Sequence, residues 1–216
     1  MTSLQYRIIS TLVLAPVTLG LIYVGGFPYI VLILLGAGLI LREWVRMAQL
    51  GDAVQRDIVL GAVYTAISAA ALIDLRLRHH DSGLGLVVTL MLCVWGSDIG
   101  AYIFGKTIGG PKLIPSVSPN KTWAGLGGAM LFPAIIMAIA VHLGGYDMHT
   151  VKIGFAAGAL FGIVGQAGDL LISKFKRRVG VKDTGTLIPG HGGLLDRADS
   201  IMLVAPVFLL AYVLWR

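Results

Sequence analysis

Residues Ser173–Asp199 read SKFKRRVGVKDTGTLIPGHGGLLDRAD, and an apolar run lies on either side of them. These 27 residues contain six Lys or Arg, three Asp, one His and five Gly. Such a charged, glycine-rich segment is poor material for a hydrophobic core, but it suits the binding of phosphate groups and a metal ion. Because the flanking runs are apolar helices, we expect this polar segment to lie at a membrane surface.

The composition is typical of a polytopic membrane protein. Of the 216 residues, 56% are hydrophobic and 13% are charged, whereas soluble domains carry roughly 25% charged residues. The net charge of +6 is explained by Lys and Arg on cytoplasmic loops, so the expected acidic partners are anionic lipids and nucleotides and not nucleic acid. The single cysteine, Cys93, excludes an intrachain disulfide and predicts no cysteine metal site.

Seven apolar runs are candidates for membrane helices, which need about 20 mainly apolar residues each. They cover residues 8–25, 27–41, 57–74, 84–104, 122–144, 152–172 and 199–215, and the second is the shortest. The first run shows no signal-peptide cleavage site, so we expect it to be retained. The predicted fold is one all-α integral membrane domain over residues 1–216, with about seven transmembrane helices.

The distribution of basic residues predicts an orientation. With a cytoplasmic N-terminus, 13 of the 17 Lys and Arg residues fall on the cytoplasmic side and 4 on the outer side. This asymmetry favours a cytoplasmic N-terminus and an outward C-terminus in the cytoplasmic membrane. Two predicted helices separate the loops 105–121 and 173–198, so both loops should face one cytoplasmic polar cavity.

Two aspartates lie inside apolar runs. Asp98 is about seven residues from the end of its run, or roughly 10 Å below the surface, and Asp169 is about one turn from the end of the sixth run. A carboxylate within a membrane usually faces a polar cavity or a partner, so both residues are candidates for one shared site. The alternative is that each is paired with a lysine for packing.

Two further aspartates, Asp196 and Asp199, lie where the last run begins, after the glycine-rich segment 189–193. Successive glycines let backbone N–H groups turn toward an anion, and carboxylates with cations nearby suit Mg²⁺ and phosphate. Simpler interpretations stay open: Asp199 as a helix N-cap, the glycines as a tight turn, and His191 as a structural residue.

The loop 105–121 and the residue after it carry three lysines among Gly, Ser, Thr and Asn. Ser118–Thr122 reads SPNKT and lies where a helix is predicted to begin, and a helix N-terminus attracts phosphate. The alternative is a solvated basic loop. No P-loop nucleotide site is predicted, and neither G-x-S-x-G nor H-E-x-x-H occurs.

Spaced motifs link these segments. The pattern S-x-x-K-R, K-D, P-G-H-G-G and D-R-x-D occurs at 173–177, 182–183, 189–193 and 196–199. S-P-x-K-T-W-x-G occurs at 118–125, and D-x-x-A-Y-x-x-G-[KR] occurs at 98–106. In these motifs the chain resembles the phosphatidate cytidylyltransferases, or CDP-diacylglycerol synthases. Arg7 and Arg42-Glu43-Trp44 are similar to that family's N-terminal region.

The resemblance covers residues 98–200 in detail, which it identifies as the catalytic core with the motif loops 105–121 and 173–198. The N-terminal helices in 1–97 are shortened relative to the family. This leaves acyl-chain accommodation and a homodimer open.

The resemblance implies transfer of CMP from CTP to phosphatidate, which gives CDP-diacylglycerol and pyrophosphate. It implies that Asp169 and Asp196 bind Mg²⁺, paired with K⁺. The other residues expected to be catalytic are Lys176, Arg177, Lys182, Asp183 and Arg197. The residues expected to bind substrate are Asp98, Ser118, Asn120, Lys121, Thr122, Ser173, Gly190, His191, Gly192 and Gly193.

Other functions stay open. A different acceptor, such as an ether-linked archaeal-type phosphatidic acid, would use the same core. A lipid kinase would leave a nucleoside diphosphate instead of pyrophosphate. A transporter would have its site near the midplane and open to both sides, whereas the polar residues here are concentrated on one side.

Overall fold

The computed structural model describes residues 3–78, 82–187 and 192–215, and for residues 3–11 and 13 it describes the backbone alone. The candidate residues Gly190 and His191 lie outside the described residues. Within these ranges the chain forms seven helices and one two-stranded hairpin. The elements are α1 (Ser3–Val24), α2 (Gly26–Ala48), α3 (Val54–Leu77), α4 (Gly83–Thr107), β1 (Lys112–Ile114), β2 (Ser118–Thr122), α5 (Trp123–Leu143), α6 (Met148–Arg178) and α7 (Leu195–Trp215).

Five of the described helices, α3 to α7, are long and apolar enough to cross a membrane, and α1 contributes a shorter apolar stretch, Leu14–Val24. Large apolar side chains such as Val59, Ile139 and Leu214 are exposed on the outside of the bundle. Lipid, unlike water, makes such a surface favourable. The chain is therefore an all-α integral membrane protein apart from its short hairpin.

Several helix bounds differ from the prediction. The helix α2 covers 23 residues and continues beyond the apolar run 27–41, through the charged Arg42 and Glu43. The helix α6 covers 31 residues and continues past residue 172 to Arg178. Lys and Arg are good helix formers and are favoured near a helix C-terminus. Of the predicted loop 173–198, residues 173–178 therefore belong to α6 and residues 195–198 to α7.

The predicted loop 105–121 contains a hairpin that the sequence analysis missed. The strands β1 and β2 pair antiparallel, with Lys112 opposite Thr122 and Ile114 opposite Ser118. Thr122 ends β2 and caps α5, because its Oγ1 accepts a hydrogen bond from Gly125 N at 3.0 Å. Residues 118–122 therefore enter α5 as an extended strand and not as its first turn.

Aromatic and polar contacts join α2, α3 and α6 at the end of the bundle that carries the motifs. Trp44 of α2 stacks on Phe175 of α6 with ring centroids 4.9 Å apart, and its Nε1 donates to Asp57 O of α3 at 2.8 Å. The buried Asp57 carboxylate forms an ion pair with Arg178 at the end of α6. These contacts hold the C-terminal ends of α2 and α6 beside the start of α3.

At the opposite end of the bundle, Arg76 of α3 binds the end of α1. Its guanidinium is buried and donates to Ile22 O and Tyr23 O, both at 2.9 Å. These are carbonyl groups of the last turn of α1, which have no partner within the helix. Arg76 is one of the four basic residues that the orientation prediction leaves on the outer side, and its charge is used within the protein.

The closest approach of α4 and α5 gives a stability prediction. A Cβ on Gly128 would lie 2.7 Å from the carbonyl carbon of Gly100, whereas a Cβ on its neighbour Gly127 would meet nothing within 4 Å. We expect Gly128→Ala to destabilise the fold by about 1–3 kcal/mol through overpacking. Gly127→Ala should be neutral or slightly stabilising, because alanine is the better helix former. Thermal unfolding midpoints of the two variants in one detergent measure the difference, and equal midpoints would contradict this packing.

Candidate functional site

Three aspartates from three helices lie close together at the motif end of the bundle. Asp98 is on α4, Asp169 on α6 and Asp199 on α7, and the charge of each interacts with the charges of the other two. Asp98 is exposed, and Asp169 and Asp199 are half-buried. We call these three residues the acidic group. It borders an accessible polar region and not a sealed core.

Basic side chains surround the acidic group. Lys121 Nζ of β2 lies 2.5 Å from Asp169 Oδ2. The charge of Arg197 interacts with that of Asp98, and the charge of Lys176 interacts with that of Asp199. These cations offset the repulsion among the carboxylates, and the same side chains are suited to binding phosphate.

A hydrogen-bond network holds the Lys121–Asp169 pair. Lys121 Nζ donates to Gln166 Oε1 at 2.7 Å, and Gln166 Nε2 donates to Ser97 Oγ at 3.4 Å. Ser173 Oγ donates to Asp169 Oδ1 at 3.1 Å. The sequence left open that Asp169 is paired with a lysine for packing alone, and Asp169 does have a lysine partner, Lys121. That partner is itself a candidate site residue, and the pair brings the two motif segments to the same end of the bundle.

Asp196 lies in a more enclosed network. Its Oδ1 is 2.6 Å from Lys176 Nζ, and its Oδ2 accepts from Thr184 N at 2.9 Å and Gly193 N at 3.1 Å. The Asp196 side chain is 7% exposed, compared with 30% for Asp169. The chain therefore bonds both oxygens of Asp196. Lys176 links the two networks, since its charge also interacts with that of Asp199.

The remaining candidate residues differ in exposure. Exposed side chains are those of Asn120, Arg177, Lys182, Asp183 and Arg197. Arg177 Nη1 donates to Val181 O at 3.2 Å, which closes the turn after α6. Ser118 is half-buried on β2, and the buried Thr122 hydroxyl caps α5.

The two described glycines of the 189–193 segment, Gly192 and Gly193, shape the loop before α7 and bind Asp196. Gly192 has a φ of 86°, a conformation that glycine adopts readily. Gly193 N donates to Asp196, so this N–H group is already used within the protein. A phosphate-binding role of the segment remains a prediction.

One stretch has the spacing of a P-loop without its structure. Residues Gly100–Thr107 read GAYIFGKT, which fits G-x-x-x-x-G-K-[ST]. All of them belong to α4, so their backbone N–H groups bond within the helix and do not surround a phosphate. The spacing alone would allow a P-loop at these residues, and it is their helical conformation that excludes one.

Sequence reasoning did not place two carboxylates, Asp199 and Glu43, among the site residues. Asp199 was open to interpretation as an N-cap, but α7 begins four residues earlier, at Leu195, and Asp199 belongs to the acidic group. The available signal was a carboxylate inside an apolar helix. Glu43 was seen only as part of a family-like tripeptide, yet its buried carboxylate bonds the residues that open α7.

The donor set fits a metal ion that is shared with substrate. Within the described ranges, no group of three or more Asp, Glu, His or Cys side chains is arranged to hold a metal ion. Mg²⁺ commonly takes one or two carboxylates and completes its shell with water and substrate phosphates. The partly exposed Asp169, with two further carboxylates nearby, suits that kind of site.

Comparison with known proteins identifies the family. Residues 51–215 match the family model described as the cytidylyltransferase family, and the chain belongs to this family. It is accordingly a nucleotidyltransferase, and the resemblance seen in the motifs is confirmed.

Curated relatives are similar over most of the chain. The phosphatidate cytidylyltransferase of Rickettsia typhi is 35% identical over 213 residues, which cover 95% of this chain and 90% of the relative. That of Rickettsia felis is 33% identical over 218 residues, covering 98% and 93%. That of Pseudomonas aeruginosa is 45% identical over 139 residues, covering 64% and 51%. The Rickettsia alignments are nearly end to end, so these relatives are of similar length to this chain.

Proposed function

We propose that the chain transfers CMP from CTP to phosphatidate, giving CDP-diacylglycerol and pyrophosphate in phospholipid biosynthesis. The observation that carries this proposal is the acidic group with Lys121, Lys176 and Arg197 around it, at one end of an apolar helical bundle. A polar site bordered by lipid-facing helices gives a soluble nucleotide and a membrane lipid access to the same place.

The chemistry explains why cations dominate the site. An oxygen of the phosphatidate phosphate bonds to the α-phosphorus of CTP, the bond from that phosphorus to the bridging oxygen breaks, and pyrophosphate leaves. The lipid phosphomonoester is largely dianionic at pH 7, because its second pKa is about 6, so it needs little help from a base. The main barrier is the repulsion between two anions, which Lys121, Lys176 and Arg197 reduce.

We propose Mg²⁺, with K⁺ beside it, as the cofactor, and Asp169 and Asp196 as its ligands. Mg²⁺ supplies charge neutralisation at the transferring phosphate and the leaving pyrophosphate. Each proposed ligand has a lysine on one oxygen, Lys121 at Asp169 and Lys176 at Asp196. At Asp196 the ion would take the place of Lys176, since the other oxygen is held by Thr184 N and Gly193 N. Both lysines are therefore positioned to contact phosphate groups that bind beside these carboxylates.

A product assay tests the function. Purified protein with labelled CTP, phosphatidate and Mg²⁺ should form CDP-diacylglycerol and pyrophosphate in equal amounts, and EDTA should stop both. CDP as the nucleotide product would instead identify a lipid kinase, and no turnover with substrate movement across vesicles would identify a transporter. A parallel reaction with an ether-linked phosphatidic acid determines whether that acceptor is preferred.

We further propose seven crossings of the cytoplasmic membrane, with the N-terminus and the polar cavity on the cytoplasmic side. The 13-to-4 split of basic residues supports this orientation. The Lys121–Asp169 pair supports one shared face, because it joins the β2 segment to α6.

Cysteine labelling tests the topology. Ser116→Cys, Tyr146→Cys and Thr186→Cys each change an exposed position in a Cys93→Ser background. In intact cells an impermeant thiol reagent should label only position 146, and after permeabilisation it should label all three. Labelling of 116 without 186, or the reverse, would place the two motif segments on opposite faces. One site could not then serve both, because the hydrocarbon core is about 30 Å thick.

A further inference from the structure

Glu43 is a buried carboxylate that the sequence did not place among the site residues. It lies near the C-terminal end of α2 and is 4% exposed. A charged group removed from water destabilises a fold unless hydrogen bonds replace the lost water. Its partners therefore define what this residue holds in place.

Both carboxylate oxygens of Glu43 bind the start of α7. Oε1 accepts from Leu194 N at 2.9 Å, and Oε2 accepts from Leu195 N at 2.9 Å. The first N–H groups of a helix have no partner within it, and a negative charge is favourable there. Glu43 thus caps α7 from another helix, about 150 residues away in the chain.

Thr184 connects Glu43 to Asp196. The Thr184 hydroxyl lies 2.9 Å from Glu43 Oε2 and 3.0 Å from Asp196 Oδ2. Thr184 N also donates to Asp196 Oδ2, at 2.9 Å. A hydroxyl has one hydrogen to donate, which the two carboxylates share. A displacement of Glu43 therefore acts on Thr184 and, through it, on Asp196.

The glycines of this loop make room for the same contact. A Cβ on Gly193 would overlap the Thr184 hydroxyl and lie 2.8 Å from Glu43 Cδ. A Cβ on Gly185 would lie 3.1 Å from Glu43 Oε1. The absence of side chains at these two positions lets the Glu43 carboxylate reach the backbone at the start of α7.

We propose that Glu43 is a positioning residue for the reaction, which fixes Thr184 and the start of α7 and thereby the orientation of Asp196. The described hydrogen bonds of Glu43 go to Thr184, Leu194 and Leu195. Glu43 also precedes residues 51–215, which match the family model. The inference rests on the proposed function, because it takes Asp196 as part of that site.

Glu43→Gln is the first test, since the amide keeps the shape but turns a donor toward backbone N–H groups. We expect kcat of the folded enzyme to fall about 10- to 100-fold, as is typical when a residue that orients a ligand is lost, with a much smaller change in KM for CTP. Thr184→Val should act in the same direction, and Thr184→Ser, which keeps the hydroxyl, should restore kcat. The double variant Glu43→Gln/Thr184→Val should lose less than the product of the two single losses.

Asp57→Asn is the matched control. Asp57 is also a buried carboxylate at this end of the bundle, but it binds Arg56 and Arg178 and not the loop before α7. It should lower the thermal midpoint and leave kcat per folded molecule unchanged. The same behaviour in Glu43→Gln would overturn the proposal, and so would multiplicative losses in the double variant.

Two outcomes remain to be separated. If Glu43→Gln does not fold, the comparison of Thr184→Val with Thr184→Ser tests the proposal instead. A wild-type kcat in Thr184→Val then overturns it. Absence of CDP-diacylglycerol with the unmodified enzyme would overturn the proposed function and this inference with it, whereas an active enzyme with active variants overturns the inference alone.

Discussion

Asp169→Asn is expected to remove more than nine-tenths of the turnover while the protein still inserts into the membrane. The change removes the charge that pairs with Lys121 and one proposed metal ligand, but the amide oxygen can still accept from Ser173. Loss of metal-based charge stabilisation should cost several kcal/mol, and each 1.4 kcal/mol is about a tenfold change in rate. The measurement is CDP-diacylglycerol formed per molecule of purified, folded variant.

Asp74→Asn is the control for this variant. Asp74 on α3 also pairs with a basic residue, Arg78 at 2.6 Å, but this i,i+4 pair is exposed. Exposed ion pairs contribute about 0–1 kcal/mol, so Asp74→Asn should keep its turnover. If Asp169→Asn retained more than a tenth of the wild-type rate, the metal role of Asp169 would be wrong.

The seven helices of the described residues were predictable from the seven apolar runs, although only α3 to α7 are long and apolar enough to cross a membrane. Their ends were not, because hydropathy stops where charge begins, whereas the backbone continues while its hydrogen bonds are satisfied. Arg42 and Glu43 in α2 are charged and still helical, and so are four of the six residues from Ser173 to Arg178 in α6. The hairpin was missed because its strands have only three and five residues, too few for an alternating pattern to be recognised.

The residue types of the candidate site could be predicted from the sequence, but the ion pairs and hydrogen bonds between them could not. Local motifs supplied Lys121 and Asp196, and Asp169 was identified as an acid inside an apolar run. The sequence spacing does not predict that the Asp169 side chain is 30% exposed, whereas both carboxylate oxygens of Asp196 accept hydrogen bonds from other residues of the protein. That difference arises from tertiary contacts. The same holds for Glu43, whose partners Leu194 and Leu195 are far away in sequence.

Asp196→Asn is expected to have the larger effect of the two aspartate variants, because it acts on both activity and stability. One oxygen pairs with Lys176 and the other accepts from Thr184 N and Gly193 N. Whichever way the amide turns, its NH₂ group faces a donor. Removing one partner of a buried ion pair destabilises by about 3–5 kcal/mol. We therefore expect turnover below a tenth of wild type together with a lower thermal midpoint, both measured on the same purified protein.

The double variant Asp196→Asn/Lys176→Met separates the two effects. It removes the unpaired buried charge, so the thermal midpoint should recover toward wild type, as replacement of a buried pair by apolar groups is often neutral or stabilising. Turnover should stay low, because the proposed metal ligand and a phosphate-binding lysine are both gone. Recovery of turnover in the double variant would mean that Asp196 does no more than neutralise Lys176, and its assignment as a metal ligand would be wrong.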